Sequence, residues 1–111
     1  MKTIIIFNSE HLGRGNDDLG TQLMGSFLRK LWMVDKKPDA IIFYNSSVKL
    51  LAEGSPVLDA MQALSKAGVD LIACGTCTSF YEIDEKIHIG RISNMQEIIS
   101  ILSHAQTVIT P

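Results

Sequence analysis

Three apolar runs rich in β-branched residues, Thr3 to Asn8, Ala40 to Tyr44 and Val69 to Ala73, each give way to polar residues or to a cysteine. Continuous rather than alternating apolar character predicts strands covered on both faces. Between them the apolar positions fall at helical spacing. Leu19, Leu23, Phe27 and Leu31 recur every fourth residue behind Asn16-Asp17-Asp18. That triplet caps a helix and sets acid on its positive end. The pattern predicts an amphipathic helix packed on a sheet and ended near Asp35 by Lys36-Lys37-Pro38. Val48 to Ala52 predicts a short helical turn closed by Gly54. Ser55-Pro56 opens a second helix with Val57, Met61, Leu64 and Ala67 on one face, and Gly68 stops it. His88 to Ile92 predicts a short fourth strand. Ser93 or Asn94 caps a last helix bearing Met95, Ile98, Ile99 and Leu102, and Thr107 to Thr110 is a closing strand.

Strands alternating with helices imply right-handed crossovers and a mostly parallel sheet with helices on both sides. Residues 1–111 are accordingly read as a single α/β domain, a length at which one core is sufficient. In such sheets ligands sit at the carboxyl ends of the strands. Three loops, residues 8–15, 45–47 and 74–77, are expected to meet there.

Composition narrows the function. Apolar residues make up 46% of the chain and charged ones 20%, a globular mix. A net charge of −2 and 6% scattered aromatics provide neither a basic footprint nor a stacking platform, which excludes nucleic acid. The amino-terminal run Ile4 to Phe7 is shorter than a signal-peptide core, and no stretch reaches membrane-span length. A cytoplasmic protein is expected, with no membrane association. In that reducing setting two cysteines three residues apart are more often reactive or metal-binding than a structural disulfide.

Cys74 is the leading candidate for chemistry. It closes the third strand, and the backbone N–H groups of a turn opened by Gly75-Thr76 would favour its thiolate. A thiolate attacks sulfane sulfur or a disulfide; the alternative is an inert buried cysteine. Cys77 is close enough to form a disulfide with Cys74 or to resolve a persulfide on it. Zinc needs about four ligands. His11, His88 and His104 form no ligand pair, and there is no second cysteine pair, so no metal or other cofactor is expected. Gly13-Arg14-Gly15 lies where phosphate loops occur but lacks the glycine spacing, and Asp17 and Asp18 oppose an anion. Arg14 either stabilises a thiolate or bound anion or is a solvated loop residue. Asn45, Gly75 and Thr76 complete the candidate binding edge. His11 either shuttles a proton or is an ordinary surface histidine. Phe80 and Tyr81 are expected to pack over the cysteine loop and limit its exposure. Trp32 and Met33 are either core or a subunit contact.

These residues resemble the DsrE/DsrF-like family, and within it the YedF-like branch of sulfurtransferase-like proteins linked to selenium metabolism. The likeness is carried by Gly13-Arg14-Gly15 with Leu19-Gly20, by Phe43 to Leu50, by Glu53 to Leu58, by Gly68 to Cys77 and by His88 to Met95. It covers essentially the whole chain. The resemblance implies an α/β sandwich with a five-stranded, largely parallel sheet, and homo-oligomers (dimers, trimers or hexamers). In sulfur-relay members a cysteine after the third parallel strand carries sulfur as a persulfide, which matches Cys74. The second cysteine, Cys77, belongs to the YedF-like pattern. The TusA-like domain that accompanies this branch is not among these residues, so a TusA-like sulfur-carrier partner is expected on a separate chain. Three readings follow: a sulfur or selenium carrier, a thiol–disulfide switch using both cysteines, and a non-enzymatic oligomeric scaffold.

Overall fold

The computed structural model describes residues 2–111. Its framework is a five-stranded sheet in which every paired strand is parallel, in the order β4-β3-β2-β1-β5. The central strands are the three apolar runs: β1 (Thr3–Phe7), β2 (Ala40–Phe43) and β3 (Asp70–Cys74). Ile5 pairs with Ile41 and Ile41 with Leu71, so all three carboxyl ends finish level. β4 (Arg91–Ser93) and β5 (Thr107–Ile109) are short edges. β4 begins later than the sequence predicts. Gly90 takes a φ of +80° with its Cα against Leu71, so residues 88–90 turn into the sheet edge instead of extending along it.

Alternation along the strands divides the core between two faces. Ile5, Phe7, Ile41, Phe43, Leu71 and Ala73 point to one side, covered by α1 (Asp17–Met33), α2 (Leu58–Lys66) and a 3-10 helix over Asn45–Leu51. Ile4, Ala40, Ile42, Ile72 and Cys74 point to the other, covered by Ile98 and neighbours of α4 (Met95–His104). Both long connections start as the sequence indicates. Asn16 accepts a hydrogen bond from the Leu19 N–H at 3.0 Å, and Asn94 accepts one from the Glu97 N–H at 2.9 Å. A Cys74–Ser93 pairing brings β4 beside the start of α3 (Gly75–Phe80), and a short 3-10 turn, Asp84–Lys86, follows.

The buried face of α1 is not the predicted leucine stripe. Gly20, Met24, Gly25 and Leu28 are buried, with Phe27 and Leu31 half-buried, whereas Leu19 and Leu23 are 53% and 43% exposed. At 3.6 residues per turn each four-residue step rotates about 40°, so a stripe from 19 to 31 winds about 120° around the helix. Its later half enters the core and its first half turns out. On α2 the buried set is Val57, Ala60, Met61 and Leu64; Ala67 is exposed because it is the cap residue, beyond the last helical turn. Trp32 and Met33 are exposed too, at 50% and 66%, which removes the core reading for both. Among the described residues no helix is long and apolar enough to cross a membrane.

Candidate functional site

The carboxyl ends of β1, β2 and β3 are tied together by the loops that leave them. Ser47, fully buried on the 3-10 helix, places its hydroxyl 2.7 Å from the Phe7 carbonyl and 2.6 Å from the Tyr44 carbonyl. The Tyr44 N–H also donates to the Phe7 carbonyl (3.0 Å), and the Glu10 N–H donates to the Ser46 hydroxyl (3.0 Å). These bonds satisfy backbone groups that strand pairing leaves open. They fix the start of the β2 loop against the end of β1. A single bond then crosses to the cysteine loop: the Asn45 N–H donates to Cys77 Sγ at 3.1 Å.

Both cysteines are free thiols and stand side by side. Cys74 is 1% exposed and packs with Ile4, Ala40, Ile42, Ile72 and Ile98 on the α4 face. Its side chain takes no hydrogen bond from the N–H groups that open α3, contrary to the expected activation there. The reason is strand alternation: Cys74 is the last residue of β3, and its side chain follows Ile72 into the apolar layer. Cys77, one turn along α3, is half-buried and touches both core layers. Burial pushes its thiol above the ordinary range. The Asn45 N–H works against that shift, and the hydrogen bond and charge of Cys74 add to it.

A cavity of about 250 Å³ opens at Cys77, lined by Asn45, Thr76, Cys77, Phe80 and Tyr81. Asn45 has a φ of +49°, in the left-handed region that asparagine tolerates better than most residues. The Tyr81 hydroxyl donates to Asn45 Oδ1 at 2.8 Å. Lys49 Nζ lies 4.4 Å from the centre of the Tyr81 ring and 3.4 Å from a Glu10 carboxylate oxygen. Phe80 packs edge-on against Tyr81 at 5.2 Å but is 80% exposed, so it forms a wall of the cavity rather than the expected cover over the cysteines. Opposite the cavity, Thr78 is buried with its hydroxyl 2.7 Å from Asp84 Oδ1, which binds α3 to the following 3-10 turn.

Of the remaining sequence candidates, Asn45 and Thr76 join Cys77 at this cavity, while Gly75 does not line it. Gly75 lies against β4, where a Cβ would stand 2.9 Å from the Ser93 carbonyl oxygen, so its contribution is close packing. Arg14 lines a different cleft of about 470 Å³ with Phe7, Ser9, His11 and Pro111, beyond the ends of β1 and β5 and without either cysteine. Arg14 follows β1, and β2 stands between that strand and β3, so Arg14 does not line the cavity at Cys77. His11 Nδ1 sits 3.6 Å from Asp17 Oδ1, away from the thiols. Among the described residues no cluster of three or more His, Cys, Asp or Glu side chains is arranged to hold a metal ion. Sequence reasoning overlooked Tyr44, which borders both cysteines; burial first, then the charges of Cys74 and Cys77, raise its phenol pKa, so it stays protonated. Its place directly after β2, level with Cys74, was the available signal.

A parallel α/β sheet with a dithiol at its carboxyl edge is the class of protein this geometry defines. The model of the DsrE/DsrF-like family matches residues 1–111, and the chain belongs to that family. No curated protein sequence matches it. Among solved structures it is similar to the YchN protein from E. coli, at 18% identity and a TM-score of 0.76 over 99% of this chain and 98% of that one. It is also similar to MTH1491 from Methanobacterium thermoautotrophicum, described as a protein of unknown function, at 17% identity and a TM-score of 0.72 over 99% and 98% of the two chains. A third likeness, to BT1422 from Bacteroides thetaiotaomicron, has 15% identity and a TM-score of 0.66 over 99% and 95%. The DsrE/DsrF-like family is generally linked to sulfur relay. At these identities the structural likenesses establish the fold.

Proposed function

We propose that the chain is a sulfur carrier of a relay, holding sulfane sulfur, or selenium in its place, as a persulfide on Cys74 and passing it to a partner. The observation that carries this reading is the pairing of two free thiols at the carboxyl edge of the sheet, one sealed in the apolar layer and one facing a cavity. A persulfide is consumed by free thiols that reach it from solution, so a buried sulfur protects the cargo between donor and acceptor. Free thiols persist in a reducing compartment such as the cytoplasm. The acceptor is a TusA-like carrier on another chain. Self-association belongs to the same proposal, because Leu19, Leu23, Trp32 and Met33 leave large apolar surface uncovered on the single chain.

Transfer is the test. The reduced chain is loaded with radiolabelled polysulfide, desalted and mixed with a TusA-like protein. Label is expected to pass to that protein's cysteine, and chain loaded as Cys74→Ser is expected to deliver none. Label retained on the chain, or delivered equally by Cys74→Ser, contradicts the proposal. A reversible loss of two hydrogens with no sulfur gained would favour the dithiol switch, and two thiols that neither load nor oxidise would favour the scaffold.

A further inference from the structure

The two thiols differ in access, and the difference sets an order of events. Cys74 is sealed among Ile4, Ala40, Ile42, Ile72 and Ile98, so a donor sulfur cannot meet it without opening that layer. Cys77 borders the cavity formed with Asn45, Thr76, Phe80 and Tyr81 and lies one helical turn along from Cys74, packed against the layer that holds it. We propose that Cys77 is the thiol through which sulfur enters and leaves, and that Tyr81 is a positioning residue that holds the Asn45 N–H on the Cys77 sulfur. This inference rests on the carrier reading and adds to it a route and a third and fourth residue.

The chemistry balances without an outside oxidant or reductant. The Cys77 thiolate attacks the terminal sulfur of a donor persulfide, R–S–SH. The donor's S–S bond breaks, a new S–S bond forms on Cys77, and the donor leaves as RS⁻, which takes a proton from water. The Cys74 thiolate then attacks the terminal sulfur of the Cys77 persulfide, producing a Cys74 persulfide and restoring the Cys77 thiolate. The reverse pair of exchanges delivers the sulfur to an acceptor thiolate. Each step exchanges one S–S bond for another, so no net oxidation occurs.

Asn45 is built for the first of these steps. Its left-handed backbone directs the N–H to Cys77 Sγ at 3.1 Å, and a donor at that distance favours the anionic sulfur of a thiolate or persulfide. The Tyr81 hydroxyl fixes the Asn45 side chain at 2.8 Å, and Tyr81 itself lies under Lys49, which is paired with Glu10. The titratable groups around Cys77 are therefore Cys74 from β3, Tyr44 from the end of β2, and Tyr81 with Lys49 above its ring.

The experiment exposes the reduced full chain to a low-molecular-weight persulfide for seconds to minutes, quenches with iodoacetamide and locates the added sulfur by mass. In the wild type, sulfur is expected first on Cys77 and later on Cys74. Cys77→Ser is expected to load Cys74 at least about tenfold more slowly, since reaction follows access to the thiolate. In Cys74→Ser, sulfur is expected on Cys77 at early times and to be lost on desalting. Loading of Cys74 in Cys77→Ser at the wild-type rate overturns the route. The absence of added sulfur in the wild type overturns the carrier reading beneath it, a different result. The role of Tyr81 is read separately, from the pH profile of iodoacetamide alkylation of Cys77 in a Cys74→Ser background. Adding Tyr81→Phe is expected to move that profile to higher pH, because the N–H that opposes burial is released. A lowered melting temperature with an unmoved profile would make Tyr81 merely structural and overturn its assignment.

Discussion

Replacing Gly90 with alanine tests how the β4 edge is held against β3. Gly90 has a φ of +80°, and a Cβ there would lie 2.6 Å from the Leu71 carbonyl oxygen and 2.9 Å from Leu71 Cβ. The left-handed backbone costs a non-glycine residue about 1–2 kcal/mol. Relieving an overlap with a strand carbonyl costs about 1–3 kcal/mol more, since the atom in the way is backbone and not the tip of a flexible side chain. Stiffening of the unfolded chain returns about 0.4–1 kcal/mol. The net expectation is a loss of about 1–4.5 kcal/mol. Gly68→Ala is the matched control: its φ is +96° but nothing lies within 4 Å of the added Cβ, so only the backbone cost applies. Urea unfolding of both variants reads the difference. At a slope of about 2 kcal/mol per molar urea, the midpoint of Gly90→Ala falls by about 0.5–2 M, further than that of Gly68→Ala. Equal midpoints for the two variants would refute the close approach. A loosened β4 also matters to the site, because Ser93 pairs with Cys74 at the start of α3.

The other predictions concern the core, an ion-paired clamp and the relative access of the thiols. Leu28→Ala removes a fully buried side chain between α1 and the sheet and is expected to cost about 2–5 kcal/mol in urea unfolding. Arg91 joins β3, β4 and α4, with both Asp70 carboxylate oxygens at 3.0 Å and a Glu97 oxygen at 2.6 Å. The Arg91 side chain, then the Ser93 hydroxyl, hold the Glu97 carboxyl below its ordinary 4.5, so its contribution to stability is complete above that pH and fades as the pH falls through the lowered folded value. Glu97→Gln should therefore reduce stability at pH 7 and flatten its decline in acid, as read by melting temperature against pH. Iodoacetamide at neutral pH is expected to alkylate Cys77 well before Cys74, since the latter is buried; the reverse order by peptide mapping would contradict the arrangement of the site.

The sheet was legible because β1, β2 and β3 are covered on both faces. A strand in that position is apolar at every residue, and Ile4 to Phe7, Ala40 to Phe43 and Leu71 to Cys74 stand out without an alternating pattern. The caps at Asn16 and Asn94 were equally readable, since a side chain that closes its own helix needs no distant partner. The α1 face was misread because glycine carries no hydrophobic signal. Gly20 is buried for the opposite reason: a Cβ there would meet His11 Cβ at 2.7 Å, so the helix and the β1 loop touch through the missing side chain. The site was half legible. Its location followed from parallel topology, and its thiols from their residue type. Which thiol faces out depended on strand alternation at Cys74 and on one helical turn to Cys77. The Asn45–Tyr81 bond spans thirty-six residues and leaves no local trace in the sequence.

The central claim is that this dithiol carries sulfur, and intact mass measures it most directly. The reduced protein is treated with polysulfide, desalted and weighed beside Cys74→Ser and the double variant of both cysteines. A gain of one sulfur atom (about 32 Da) in the wild type alone is the predicted result, as expected of a reactive thiolate whose product is kept from solvent. An unchanged mass in the wild type, or the same retained gain in Cys74→Ser, would contradict the account.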